Sequence, residues 1–287
     1  MQVKPDCMPC YLVQCLSALR QANIDENKQQ AILRQITTEL VLLSSESTPS
    51  YNSSLVLLRC YDLAGVEDPF ARIKQASNRH ALHILDGFAF EPEEEGALMI
   101  ALKLALAGNV IDLGIQYDYD IEGNLSDVLQ TDIDASALQG FTACLEKAQH
   151  ILVIGDNSGE IVFDTALVRV LQHMGKEVVY SVKGGSILND ATQQDAWESG
   201  MQDLVPVIHT SNRFLGVEWR LCSDKFQQHY QKADLVIAKG QANYESLEGC
   251  QHAGDKTFFL LKAKCPVVAA HLGVELGDWV LRRNQVR

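Results

Sequence analysis

The chain has 287 residues, 47% hydrophobic and 21% charged, a balance that excludes a disordered or collagen-like polypeptide and suits one large domain or two modest ones. Its 24 Lys and Arg stand against 37 Asp and Glu, a formal charge of −13. That excess acidity argues against nucleic acid and anionic membrane as partners, because both demand clustered positive charge. Eight Cys in a chain of this length, with no leader-like start, do not form a secreted disulfide framework; the expectation is a cytoplasmic protein with reduced thiols.

From Cys10 to about Gly108 apolar residues recur at helical spacing. Leu12, Cys15, Leu16 and Leu19 share one face, Ile32, Ile36, Leu40 and Leu43 another, and Ile73, Ser77, His80 and Ile84 a weaker third. Pro49, Pro69 and Pro92 fall where helices start or break, and Glu93, Glu94 and Glu95 suit a solvated first turn. The Ala/Leu-rich run from Gly96 to Ala107 is interrupted by Lys103 and falls short of the roughly 20 residues a bilayer crossing needs. Residues 1–130 therefore read as a helical domain.

Residues 131–287 change character. Short runs rich in β-formers, His150 to Gly155, Glu177 to Val182, Val205 to Ile208, Asp234 to Ala238 and Thr257 to Leu261, alternate with helix-like segments such as Glu160 to His173 and Trp219 to Lys232. Strand and helix in alternation, with little room for hairpins, predict an α/β fold: a Rossmann-like α/β/α domain with a mainly parallel sheet, joined to the helical domain.

In such a sheet ligands bind outside the carboxyl ends of the strands, and polar residues gather there. Asp156-Asn157-Ser158-Gly159-Glu160 follow the first run, Lys183-Gly184-Gly185 and then Asn189-Asp190 the second, Lys239-Gly240-Gln241 with Asn243 the fourth, and Lys262 the fifth. Asp156, Asn157 and Asp190 are oxygen donors suited to a hard divalent cation. Lys183, Lys239 and Lys262 are placed to neutralise a phosphoryl group, and the amides of Ser158 and Gly159 sit where a helix N-terminus favours anions. The pattern points to hydrolysis of a phosphate ester. Asp-Asn and Asn-Asp pairs after strands also suit helix capping, and spacing alone leaves both readings open.

Several motifs in fixed order resemble the damage-control phosphatases, a family first catalogued as a domain of unknown function, and in particular its cysteine-containing prokaryotic branch. They are Cys7-Met8-Pro9-Cys10, Ala107-Gly108-Asn109-Val110-Ile111-Asp112, the run from Gly155 to Asp164, Lys183-Gly184-Gly185 with Asn189 to Thr192, Lys239 to Glu245, and Lys262-Ala263-Lys264-Cys265-Pro266. The resemblance implies a metal-dependent phosphatase acting on small phosphorylated metabolites such as sugar phosphates or nucleotides, with Mn, Mg, Co or Ni as the divalent cofactor. It implies Asp156, Asn157 and Asp190 as metal ligands, and Glu160, Asn243 and Lys262 as pocket residues beside Lys239 and Gly240. Asn109 and Asp112 match a motif facing the pocket.

The expected chemistry gives Asp156 or Glu160 the proton of the attacking water and Lys262 the developing phosphoryl charge. Cys7 and Cys10 have the CxxC spacing of redox pairs and half zinc sites, and the resemblance brings Cys265 towards them. Arg213, after the Val205 to Ile208 run, is a candidate for the crevice rim. Two rival classes remain at this stage. An S-adenosylmethionine-dependent carboxyl methyltransferase would want a glycine-rich turn where Asp156-Asn157 stand, and a non-catalytic metal- or redox-responsive module would leave the strand-end lysines without a role.

Overall fold

The computed structural model describes residues 1–108, 129–130 and 133–286. The chain opens with helices α1 (Cys7–Gln21), α2 (Glu26–Glu39) and α3 (Pro49–Ala64). Asp25 accepts from the Lys28 amide to start α2, and Thr48 accepts from Tyr51 with Pro49 in the first turn of α3. Their apolar faces close a core around Tyr11, Cys15, Leu19, Ile36, Leu57 and Cys60 that also takes in Ile187 and Leu215 from later in the chain. Cys15 and Cys60 act there as small apolar residues.

Helices α4 (Ala71–Asp86) and α5 (Ala97–Ala107) pack against a later helix, α7 (Glu160–His173). The buried face of α4 is more polar than its Ile spacing predicts: Lys74, Ser77, Asn78 and Ala81 are buried. Lys74 and Asn78 turn inward because the Asp195 carboxylate receives both, at 3.3 and 2.9 Å. Glu93, Glu94 and Glu95 lie in the turn before α5, which starts at Ala97. Ala101, Leu102 and Ala105 of α5 share a core with the sheet. Among the described residues no helix is long and apolar enough to cross a membrane.

After α6 (Ala135–Lys147) come β1 (His150–Ile154), α7, β2 (Glu177–Val182), α8 (Gln193–Glu198), α9 (Met201–Leu204) and β3 (Val207–His209). Then follow α10 (Asp224–Lys232), β4 (Leu235–Lys239), α11 (Gln241–Leu247), β5 (Thr257–Lys262), α12 (Pro266–Leu272) and β6 (Trp279–Arg283). The six strands lie in the order β3-β2-β1-β4-β5-β6. All pairs are parallel except β5 with β6. One apolar core fills the side of the sheet facing α5 and α7, and a second the side facing α10, α11 and α12, so β1 and β4 are buried almost throughout.

Two local features differ from the sequence expectation. The segment Trp219 to Lys232 is a short 3-10 turn (Trp219–Leu221) followed by α10, because the Ser223 side chain accepts from the Phe226 amide and starts a new helix. The antiparallel edge strand β6 escapes the apolar-run criterion: its last two residues, Arg282 and Arg283, are exposed.

This strand order reverses direction between β1 and β4, which is where an open α/β sheet forms its ligand crevice. The loops that leave β1 and β4 carry Asp156 and Gly240.

Candidate active site

The loops after β1 and β2 are stitched together by main chain. Ser158 N donates to Asn189 O and Ala191 N to Asp156 O, both at 2.8 Å, and isolated bridges join Asn157 with Asp190 and Lys183 with Thr192. Residues 33 positions apart in sequence thus present Asp156, Asn157 and Asp190 on one wall. That wall bounds a cavity of about 450 Å³, closed on the far side by Cys7, Cys10, Tyr11 and Gln14 of α1 and by Ser50 and Ser53 of α3. Gln241, Glu245, Lys264 and Cys265 complete its rim.

Gly240 explains how the β4 loop approaches this wall. Its φ is +79°, in the left-handed region that glycine tolerates, and a Cβ at this position would overlap the Asp156 carboxylate. Gly155 serves β1 in the same sense, since a Cβ there would run into the Tyr180 hydroxyl.

The electrostatics are unusual for an interior. Asp156, Glu160, Asp164 and Asp190 are all buried, with only Lys183 and Lys239 buried among them. Four carboxylates against these two buried ammonium groups leave a formal deficit of two positive charges within the cluster, which Lys264 at the cavity rim and Lys74, itself paired with Asp195, offset only from outside it. Burial first, then the Glu160 and Asp190 carboxylates, hold the pKa of Asp156 well above the ordinary range. Burial raises Glu160 against the pull of Lys239. It also pushes Asp190 up to about 6 despite Lys183. Asp190 Oδ2 is buried, with an ion pair of 3.5 Å to Lys183 Nζ and no hydrogen bond.

The Asn157 side chain commits its amide nitrogen to two carboxylates, Glu160 Oε1 at 2.7 Å and Asp156 Oδ2 at 3.1 Å. Its oxygen is the donor atom that remains, and Asn157 lines the cavity with Asp156 and Asp190. The donor set Asp156, Asn157 and Asp190 therefore fits a hard divalent ion in both charge and chemistry. Among the described residues no group of three or more His, Cys, Asp and Glu side chains is arranged to hold a metal; this donor set includes an amide oxygen.

Other expected site residues take different places. The Ser158 and Gly159 amides do not face an anion: they donate to Asn189 O at 2.8 Å and Asn78 Oδ1 at 2.7 Å. Lys183 is buried, donating to Gly216 O at 2.5 Å. Lys239 is fully buried behind the wall, 2.6 Å from Asp164 Oδ1 and 3.5 Å from Glu160 Oε2. Asn243 is buried too, and its amide ties Lys239 O and Gly155 O together, at 2.6 and 3.2 Å.

Lys262, the last residue of β5, holds its amine 4.8 Å from the Trp279 ring on β6 and is absent from the cavity wall. Two residues on, where the strand has ended, Lys264 lines the cavity, and its charge favours ionisation of Asp156 and Glu160. Alternation along a strand predicts this displacement only once the end of β5 is known. Arg213 is a strap, donating to Ser186 O and Glu67 O at 2.9 and 2.7 Å. Cys7, Cys10 and Cys265 do line one cavity, Cys7 buried and Cys10 exposed. Asn109 and Asp112 lie outside the described residues.

A profile of the damage-control phosphatase ARMT1-like domain matches residues 3–280. The chain belongs to that family. Membership makes it a phosphatase. A protein named damage-control phosphatase from Pyrococcus horikoshii is 32% identical over the full length of both chains. An uncharacterized protein from Methanocaldococcus jannaschii is 32% identical over 99% of this chain and 96% of its own. A second damage-control phosphatase, from Archaeoglobus fulgidus, is 27% identical over 98% and 99%. The crystal structure of a DUF89 family protein from P. horikoshii superimposes with a TM-score of 0.88 at 33% identity, covering 99% of this chain and all of that one.

Proposed function

We propose that the chain is a divalent-metal-dependent phosphatase that hydrolyses small phosphorylated metabolites in the cavity between the helical segment and the sheet. The observation that carries this is the buried deficit of two positive charges at Asp156, Glu160, Asp164 and Asp190, together with family membership. A divalent cation held by Asp156, Asn157 and Asp190 relieves that deficit; Mg or Mn suits an all-oxygen donor set, with Co and Ni as alternatives. When bound, the cation supplies Lewis-acid polarisation of a phosphoryl oxygen and a more acidic water.

The protein's own groups do the rest. Lys264 at the cavity rim offers a charge to the phosphoryl oxygens, taking the role that the sequence assigned to Lys262. Asp156 faces the cavity and is placed to take the proton of the attacking water. Glu160 is a poorer base, since its two oxygens are turned to Asn157 and Lys239. The side of the cavity formed by Gln14, Ser50, Ser53 and Gln241 presents neutral polar groups to the leaving group. The absence of cysteine pairing among eight thiols suits a reducing, cytoplasmic setting.

The test is phosphate release from a panel of sugar phosphates, nucleotides and other phosphomonoesters by metal-stripped protein, with Mn²⁺, Co²⁺, Ni²⁺ and Mg²⁺ added singly. Turnover that needs added metal and disappears in Asp156→Ala supports the assignment. Equal turnover after chelation, or in folded Asp156→Ala, refutes it.

A further inference from the structure

Behind the cavity wall runs a buried chain of polar side chains that no substrate can touch. Tyr180 Oη of β2 donates to Asp164 Oδ2 at 2.6 Å, and Lys239 Nζ of β4 donates to Asp164 Oδ1, also at 2.6 Å. The same ammonium lies 3.5 Å from Glu160 Oε2. Glu160 Oε1 in turn accepts from Asn157 Nδ2 at 2.7 Å. Tyr180, Asp164 and Lys239 have no solvent exposure and Glu160 has 1%. The five residues come from four elements: β2, α7, which supplies both Asp164 and Glu160, β4, and the loop after β1.

The cost of such an arrangement suggests a purpose. A buried ion pair seldom stabilises a fold more than apolar side chains of similar size, and a Lys at the buried end of β4 could be replaced by Met without loss of packing volume. What the chain does fix is the rotation of one amide. Glu160, held by Lys239, takes the nitrogen end of Asn157 at 2.7 Å, with Asp156 Oδ2 a longer acceptor at 3.1 Å, and so leaves the oxygen as the end of this cavity-lining side chain available to a cation. Asp164 holds Lys239 against its other neighbours, and Tyr180 holds Asp164. Gly155 is the residue that lets Tyr180 approach, since any Cβ there would meet the phenol.

We propose that Lys239, Asp164 and Tyr180 are positioning residues that set the Asn157 amide oxygen as a cation ligand, acting through Glu160. This inference rests on the metal assignment made above. It moves Lys239 from contact with substrate to the layer behind the ligands, where outer-shell partners typically govern metal affinity by 10- to 100-fold.

Charge and position predict opposite outcomes for one substitution, and this makes the inference testable. Removing the positive charge of Lys239 would, by Coulomb attraction alone, tighten the binding of a cation. Loss of positioning would weaken it. Metal-stripped wild type, Lys239→Met and the charge-neutral Tyr180→Phe should be titrated with Mn²⁺ alone, reading free Mn²⁺ by electron paramagnetic resonance, with circular dichroism to check the fold.

The expected result is Mn²⁺ affinity lower by about 10-fold or more in Lys239→Met and by a smaller factor in Tyr180→Phe, with substrate KM at saturating Mn²⁺ unchanged in both. Affinity unchanged or higher in Lys239→Met overturns the positioning role. Should Lys239→Met not fold, Tyr180→Phe decides alone: affinity within 1.5-fold of wild type, on the order of experimental error, overturns it. If wild type itself binds no Mn²⁺, the metal assignment falls and the inference with it; if wild type binds and both variants bind equally well, only the inference falls.

Discussion

Asp190→Asn separates the stability of the fold from the function of the site. Burial holds the Asp190 carboxyl at about 6, against an ordinary 3.8, even with Lys183 beside it. The folded state therefore binds the proton more tightly than the unfolded state. Stability contributed by the neutral form is fully present below about pH 4 and is lost as pH rises through 6. At about 1.4 kcal/mol per pH unit this amounts to about 3 kcal/mol at pH 7. An amide at this position never ionises, so the variant escapes the loss. Urea unfolding of metal-stripped wild type and Asp190→Asn from pH 4 to 7.5 should show the variant gaining on the wild type, from about zero difference near pH 4 to about 3 kcal/mol at pH 7. Phosphatase activity should fall by about 100-fold or more over the same comparison, because a charged ligand is lost. A variant less stable than wild type at pH 7, or one that gains nothing between pH 4 and 7, would refute the charge-deficit argument.

Other substitutions test separate parts of the site. Lys264→Ala should raise substrate KM by roughly 10-fold while Lys262→Ala stays within about two-fold of wild type, since only Lys264 lines the cavity; steady-state kinetics with one phosphomonoester settles it, and the reverse ranking contradicts the placement. Gly240→Ala should cost more than the roughly 1–2 kcal/mol of its positive φ, because its Cβ also overlaps the Asp156 carboxylate, and should abolish turnover by displacing Asp156. Gly254→Ala, with φ +62° and only ordinary contacts to Lys256 at 3.8 and 4.0 Å, should lose about 1–2 kcal/mol and keep normal turnover. Alkylation of the exposed Cys10 in the cavity lining should inhibit wild type and spare Cys10→Ser; inhibition of both by the same factor would place the reactive thiol elsewhere.

Much of the architecture is legible in the sequence because parallel strands buried on both faces must be continuous apolar runs, as in Ile151 to Ile154 and Leu235 to Ala238. The edge strand β6 has no such signature, being paired on one side only. Asp156, Asn157 and Asp190 are brought to one wall as strand-end logic expects, since the ends of β1 and β2 are fixed by their parallel register. The roles of Lys183, Lys239 and Lys262 are not readable in this way. Each stands at a strand end, Lys183 just after β2 and Lys239 and Lys262 as the last residues of β4 and β5, and whether an amine points into the crevice or back into the core depends on where the strand stops and on partners such as Asp164 and Trp279, 75 and 17 positions away. Glu245 illustrates the same limit of pattern: buried at the cavity rim with a pKa raised to about 7 by burial, it stands in the Lys239 to Glu245 motif without any spacing that marks it.

The measurement closest to the central claim is calorimetric titration of metal-stripped protein with Mn²⁺, paired with phosphate release in the same preparation. One ion per chain, turnover that rises in step with occupancy, and loss of both in Asp156→Ala and Asp190→Ala are the predicted results. Full turnover without bound metal, or saturating Mn²⁺ binding in a folded Asp156→Ala, Asp190→Ala double variant, would contradict it.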